Sequence, residues 1–425
     1  MYIAFHVDEL SALFAVLTTV MWIFVGIYAL DYTKHDEHRG RFFFFYILVY
    51  FVLLGLDFSA NAITMYMFYE FMTLTSMPLI LHEQTPEAVK AAFKYLYYSI
   101  AGALLSLFGI FVFAQFAPTL DFVAGGVLDA SVLEGHETLF TAAVICMLIG
   151  FGAKAGMFPM HAWLPEAHPV APAPASAVFS GIIAKSGVLA IVRCVFYLSG
   201  ADFLRGTTIQ TIWMTLALIT VLMGSMRAYQ EDVLKKRLAY STVSQISYVL
   251  FGLSTLHPAG FAGAMLHVIY HSTAKNLLFM GAGSVIHQTG KTKVSELRGI
   301  GKMMPVAIGC FTFAGLSLIG IPPFSGFFSK WYLAEGSFKA GIPGFSWAGP
   351  VILLVSALLT AGYLLPVSID GFLPGKHTKD NVFEKCEAGL KMTGPMVILA
   401  LAVLLMGIYS KPLIHFVETM AASVL

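Results

Sequence analysis

Charge is scarce in this chain of 425 residues. Only 12% of its residues are Asp, Glu, Lys or Arg, where a soluble domain carries about 25%. A water-facing surface cannot be built from so few, and 58% of the residues are hydrophobic. The chain therefore reads as an all-α polytopic membrane protein. Its net charge of +1 removes nucleic acid as a partner. Cysteine is rare as well. Cys146, Cys194 and Cys310 lie in apolar runs and Cys386 in a polar loop. There is no CxxC and no metal-ligand spacing, so iron–sulfur or zinc chemistry is not expected, and no cofactor is assigned to this chain. No basic segment precedes the first apolar run, which is long enough to span by itself. A cleavable signal peptide is accordingly not expected.

What the chain has in abundance is long apolar sequence. A helix needs about 20 apolar residues to cross a bilayer. Spans are predicted at 10–30, 42–58, 60–81, 92–116, 139–160, 173–198, 207–227, 235–255, 260–286, 303–336, 347–370 and 392–410, about 12 transmembrane helices in all. The fifth is interrupted near Gly156 and Pro159. The tenth is interrupted by "GIPPFSG", residues 320–326, which holds Pro322, Pro323 and Gly326, and it is long enough to be two half-helices. Loops after odd-numbered spans hold 17 lysines and arginines; the other side holds 3, namely Arg205, Lys339 and Lys411. Cationic loops stay inside. This bias predicts odd-numbered loops in the cytoplasm and both termini on the outer side of the cell (inner) membrane.

The two interrupted spans stand five apart. Taking spans 2–6 and 7–11 as repeats puts the break fourth in each. Five is odd, so the second repeat enters from the opposite side. This is the inverted-repeat plan of ion-coupled transporters. It divides the chain into an N-terminal span and loop (1–41), a first half (42–198), a second half (199–371) and a loop with a C-terminal span (372–425).

Ionisable residues inside the spans are expensive, about 3 kcal/mol for a mid-membrane lysine, and point to function. Glu70 sits near the centre of span 3. Lys154 lies just before the break in span 5, and Lys185 lies mid-span 6. His267, His271 and Lys275 follow at i, i+4 and i+8 and line one face of span 9. Lys330 follows the break in span 10. Blander readings exist for several residues. His271 is equally well a helix–helix hydrogen bonder, and Lys275 could snorkel to the cytoplasmic surface. Arg193 is expected to snorkel from the outer end of span 6. His161 and His168, beside prolines, would satisfy backbone carbonyls that the prolines free. For Glu70, Lys154, Lys185 and Lys330 such readings are weaker, because these side chains sit too deep to escape. Burial disfavours a charged lysine and a nearby carboxylate restores it. A row of such sites, bridged by water and histidine, would pass protons in steps.

At these residues the chain resembles the antiporter-like, proton-translocating subunits of respiratory complex I, shared with Mrp-type Na⁺/H⁺ antiporters and membrane-bound group 4 hydrogenases. The stretch "GFGAKAGMFPMHAWLPEAHPVAPAPASAVFSGIIAKSG" carries the resemblance most specifically. It is supported by "HVDELSALF", "FYEFMTLTSMPL", "KKRLAYSTVSQISYVLFG", "HVIYHSTAKNLLFMGAG" and "GIPPFSGFFSKWYL". The resemblance implies that Glu70 pairs with Lys154, that Lys185 is a connecting lysine, that His267, His271 and Lys275 are linking positions, and that Lys330 is the terminal site. One complex I member has glutamate at that last position, so lysine favours the other members. The family's core has fourteen helices around a hydrated axis. "HVDELSALF" matches the run into its third helix, so the first two helices are expected to be absent, as is a long lateral helix after span 12.

The leading functional expectation is a proton-translocating subunit of a redox-driven complex. Its partners would be other membrane subunits, homologous antiporter-like subunits among them, and peripheral redox subunits, with the lipid bilayer around it. Two alternatives stay open: a subunit of an Mrp-type Na⁺/H⁺ antiporter, which would add Na⁺ as an ion, and the membrane subunit of an inorganic-carbon uptake complex. A haem enzyme is disfavoured, because His267 and His271 stand one turn apart on one helix and cannot sandwich an iron. A pure scaffold has no use for so many deep charges.

Overall fold

The computed structural model describes residues 2–128, 130–375 and 384–425. Lys376 and Lys379, two of the loop cations counted above, lie outside the described residues. All regular structure among the described residues is helical. The main helices are α1 (Glu9–Tyr32), α2 (Arg39–Asp57), α3 (Ala62–Ile80), α4 (Pro86–Phe116), α5 (Glu137–Ala155), α6 (Leu164–Val170), α7 (Ala173–Ser199), α8 (Thr208–Gln230), α9 (Leu234–Ser254), α10 (Pro258–Thr289), α11 (Pro305–Ile319), α12 (Gly326–Lys339), α13 (Phe345–Phe372), α14 (Leu390–Ile408) and α15 (Lys411–Val424).

Local chemistry sets many of their ends. Asp8 and Ser11 form a reciprocal capping box on α1. Asn61 caps α3, and Thr85 caps α4 ahead of Pro86. Two glycines stop α5 and α11. Gly156 (φ 76°) and Gly320 (φ 90°) take the left-handed conformation that glycine adopts without strain.

Among the described residues, eight helices are long and apolar enough to cross a membrane: α1, α2, α4, α5, α7, α8, α13 and α14. The chain is a multi-pass membrane protein. Helices α3, α9 and α10 also fall on predicted spans, but they carry the polar residues of the interior. Packing runs inside out relative to a soluble protein. All of α7 is buried, as is nearly all of α9 and α10. The outer helices instead expose large apolar side chains such as Phe51, Leu104, Phe111, Leu354 and Leu358, which suit lipid rather than water.

Three features differ from expectation. The fifth predicted span ends at Ala155, and the chain turns before the separate short helix α6. Helix α7 is regular only in part, with π-helical turns at Phe179–Ile183 and Arg193–Ser199. Helix α15 was not expected. Its polar residues Lys411, His415 and Glu418 broke the apolar run, yet Val417, Met420, Ala421 and Val424 are buried in the fold.

Candidate functional site

Lys154 occupies the last turn of α5, one residue before the helix stops. Its side chain is wholly buried. The ammonium donates to three hydroxyls: Thr73 Oγ1 at 2.9 Å, Tyr95 OH at 2.9 Å and Ser99 Oγ at 2.8 Å. It also lies 4.3 Å from the centre of the Tyr95 ring and 5.5 Å from that of Tyr69. Glu70, the expected partner, is on α3 one turn before Thr73. Among the ion pairs of the described residues the Glu70–Lys154 pair is absent, and Glu70 Oε1 is buried with no hydrogen-bond partner. The carboxylate still bears electrostatically on Lys154. The arrangement is a lysine held by neutral oxygens with a carboxylate beside it and free.

The next lysine follows the first π-helical turn of α7. A π turn shifts the ladder and leaves a carbonyl without its usual donor. Lys185 Nζ takes that place, donating to Ser180 O at 2.5 Å. Helices α5 and α7 touch at Gly187, where a Cβ would come within 2.6 Å of Phe151 O and 3.1 Å of Lys154 Cβ. This close approach brings the backbones that carry Lys154 and Lys185 together.

Helix α10 supplies the middle of the row. His267, His271 and Lys275 are all buried, and the two imidazoles stack at 5.8 Å. Lys275 donates to Leu238 O at 3.0 Å, so it does not snorkel. Neither ring nitrogen of His271 has a partner, so it is not a helix–helix hydrogen bonder. The charges that bear on His271 are Lys185 and Lys275; those that bear on His267 are Lys330 and Lys185. Lys330, in the first turns of α12, reaches back across the break. It donates to Leu318 O at 2.6 Å and Ile319 O at 3.0 Å, at the end of α11, and lies 5.0 Å from the Tyr248 ring centre. The free carbonyls of a helix C-terminus suit a cation.

Three other expectations need correction. Arg193 does not snorkel: it is 3% exposed and pairs with Asp8 at 2.5 and 2.8 Å. A counter-ion 185 residues away made burial cheaper than reaching water. His161 and His168 do not satisfy the carbonyls freed by proline. His161 Nδ1 and both nitrogens of His168 are unpartnered, and the His168 ring stacks on Phe279. The carbonyl of His168, four before Pro172, accepts instead from Ser176 Oγ at 3.0 Å. Lys235, counted above as a loop cation, bonds other carbonyls of the same turn, donating to Pro169 O at 3.2 Å and Ala171 O at 2.5 Å.

Sequence reasoning also missed the hydroxyls around Lys154. Thr73 lies three residues after Glu70, and Tyr95 and Ser99 lie four apart on α4, so helical spacing alone could have grouped them. Asp57 was missed too. It is a buried carboxylate at the end of α2, bonded by Thr18 at 3.1 Å. Among the described residues no group of three or more His, Cys, Asp or Glu side chains is placed to hold a metal ion.

Buried cations are costly in a helical membrane protein, and here several stand beside helix breaks, as expected of residues that serve function. The chain is a member of the NADH:quinone oxidoreductase/Mrp antiporter transmembrane family, which matches residues 59–368; residues 1–43 match the N-terminus of chain 5 of NADH-ubiquinone oxidoreductase (complex I). It is 31% identical over 421 residues to NADH-quinone oxidoreductase subunit N of Desulforudis audaxviator, covering 96% of this chain and 82% of that one. It is 29% identical over 422 residues to a Na(+)/H(+) antiporter subunit of Bacillus subtilis, covering 98% and 83%. It is 30% identical over 376 residues to hydrogenase-4 component B of Escherichia coli, covering 83% of this chain and 54%, about half, of that relative. The fold is shared with a chain of the membrane-bound sulfane sulfur reductase, an archaeal respiratory complex (TM-score 0.88, 21% identity, 99% and 83% covered). It is also shared with a chain of the Mrp complex from Dietzia sp. (TM-score 0.86, 22% identity, 100% and 85% covered).

Proposed function

We propose that this chain is the proton-translocating membrane subunit of a redox-driven, multi-subunit complex. The observation that carries the reading is a row of buried and half-buried titratable groups, three of whose lysines sit beside a helix break or a π-helical turn. Glu70 and Lys154 form its first part, Lys185 the connection, His271, His267 and Lys275 the middle, and Lys330 the end. Several of these groups are held by neutral oxygens or left without protein partners. Buried polar groups with no protein partner are solvated by water, and water between them completes a path for protons. Each lysine can then be charged or neutral at small cost, as its neighbours charge or discharge.

The same reading takes twelve spans, with residues 42–198 and 199–371 as two inverted five-helix half-channels. The breaks at Gly156–Pro159 and Pro322–Gly326 stand at matching places in the two. Residues 1–41 and 372–425 flank them, and both termini lie on the outer side of the cell membrane. The chain works beside other membrane subunits, homologous ones among them, and peripheral redox subunits would supply the driving reaction. A second reading, a subunit of an Mrp-type Na⁺/H⁺ antiporter, is favoured by the likeness to the Bacillus subtilis antiporter protein.

The test is proton uptake by vesicles that hold the assembled complex. Lys330→Met is expected to abolish uptake while assembly is retained. Wild-type uptake in the assembled variant would leave Lys330 a packing residue and the path unsupported. Uptake driven only by a Na⁺ gradient would select the second reading.

A further inference from the structure

Of the buried histidines among the described residues, His267 alone is bonded on both sides of its ring, and the bonding has a direction. Thr360 Oγ1 spends its one hydrogen on Ser356 O, its own i−4 carbonyl, at 2.8 Å. Its lone pairs therefore face donors. One is Tyr363 OH at 3.2 Å, whose single hydrogen is shared with the nearer Ser241 Oγ at 2.7 Å. The other is the amide of Gln245, whose Nε2 lies 3.5 Å away. With its NH₂ turned to Thr360, Gln245 presents Oε1 to His267 Nε2 at 3.1 Å. An amide oxygen only accepts, so Nε2 carries a hydrogen.

The other side of the ring is ambivalent. His267 Nδ1 lies 2.9 Å from Ser329 Oγ, and that oxygen lies 3.1 Å from Gly326 O. Ser329 has one hydrogen and two places to put it. Pointed at Nδ1, it serves a neutral imidazole. Turned to Gly326 O, it leaves a lone pair for a protonated Nδ1.

We infer that Gln245 and Ser329 are positioning residues for proton transfer: Gln245 fixes the tautomer of His267, and Ser329 lets Nδ1 gain and lose a second proton by turning one hydroxyl. The inference rests on the proton-transport reading above. The charged groups that face His267 are Lys330 from α12 and Lys185 from α7, with the His271 and Tyr248 rings stacked beside it. Both charges are cationic, so an added proton would be repelled. Gain of a proton at His267 is therefore matched by loss of one from either lysine, whose ammonium becomes an amine as the imidazole becomes imidazolium. Net charge is unchanged, and the reverse step returns it. His271, one turn away with no partner on either nitrogen, has no such device. It is left to water.

The test uses the assembled complex in vesicles, with Ser329→Ala, Ser329→Thr and Gln245→Leu, each made alone and with His267→Gln. Ser329→Ala removes the acceptor of the charged N–H and also the weaker bond to the neutral ring, so the hold on the proton weakens by their difference, about tenfold. Ser329→Ala is therefore expected to slow uptake about tenfold and to move the acidic limb of the rate–pH profile about one unit lower. Ser329→Thr, which keeps the hydroxyl, should keep the wild-type profile. With His267→Gln already present, Ser329→Ala should add nothing. A wild-type profile in Ser329→Ala, or a loss that persists undiminished beside His267→Gln, would overturn the inference. Should Ser329→Ala fail to assemble, Gln245→Leu decides by the same criteria. A wild-type complex that moves no protons, or one indifferent to Lys154→Ala, would instead sink the transport reading itself.

Discussion

Lys235 Nζ donates to the carbonyl oxygen of Ala171 at 2.5 Å, joining the start of α9 to the proline-rich turn between α6 and α7. The proline-rich turn interrupts the helical ladder, and a lysine from another helix supplies donors to two of its carbonyls. Its ammonium is buried, at 7% exposure, and holds Pro169 O as well. Lys235→Met should leave Pro169 O unpaired and Ala171 O with only a long bond from Ser176 Oγ at 3.5 Å, at a cost of about 1–3 kcal/mol for each acceptor left unpaired. Thermal unfolding of the purified chain in mild detergent should fall by several degrees. An unchanged midpoint would mean that water replaces the lysine freely.

Asp8 and Arg193 make a second test, on stability and pH. Burial works to raise the Asp8 carboxyl, but hydrogen bonds and charge from Arg193 outweigh it and hold the group below the usual carboxylate range. A depressed folded value adds stability above the unfolded value, about 3.9, and that stability is lost as pH falls through the folded one. Arg193→Gln should cost about 3 kcal/mol at neutral pH, the low end for a broken buried pair, because a quarter of the Asp8 side chain is exposed. In Asp8→Asn the part of the acid-induced destabilisation below pH ~4 that this pair causes should vanish. Parallel melting curves of wild type and Asp8→Asn from pH 6 to pH 3 would refute it.

Orientation is checked by labelling. The 17-to-3 cationic bias predicts the 371–391 loop inside. Lys391 is exposed at the start of α14. A cysteine at that position, with Cys386→Ser beside it, should resist an impermeant maleimide on intact cells and react after permeabilisation. Ready labelling of intact cells would invert the topology.

The three hydroxyls on Lys154 predict graded losses. Thr73→Val, Tyr95→Phe and Ser99→Ala each remove one hydrogen bond to a charged group, worth about 1.5–3 kcal/mol. Each should slow proton uptake about tenfold or more, and Thr73→Ser should restore most of it. Full activity in all three would mean that the ammonium is not held there during transport.

What the sequence made legible follows from cost. Lysines and a glutamate in apolar runs stand out because burial is expensive. Gly156 and the prolines of "GIPPFSG" stand out because they break helices. Hydroxyls carry no such penalty. Thr73, Ser99, Ser329 and Thr360 look like any small residue in a membrane helix until the helices are packed. Partners far apart in the chain were equally hidden. Nothing near Arg193 announces Asp8, and nothing near Pro169 announces Lys235. The amphipathic α15 was lost because its apolar residues recur with a helical period instead of running together.

The central claim is that Lys154, governed by Glu70, is a switchable proton site. The measurement that bears on it most directly is proton uptake in vesicles by the assembled complex carrying Glu70→Gln, Lys154→Ala and both together, with protein levels matched. Coupled residues are not additive. Each single change should cut uptake severely, and the double change should be no worse than the poorer single. Glu70→Asp, which keeps the charge on a shorter arm, should retain part of the activity. Losses that instead multiply cleanly in the double variant would show that Glu70 and Lys154 act independently, and would contradict the account.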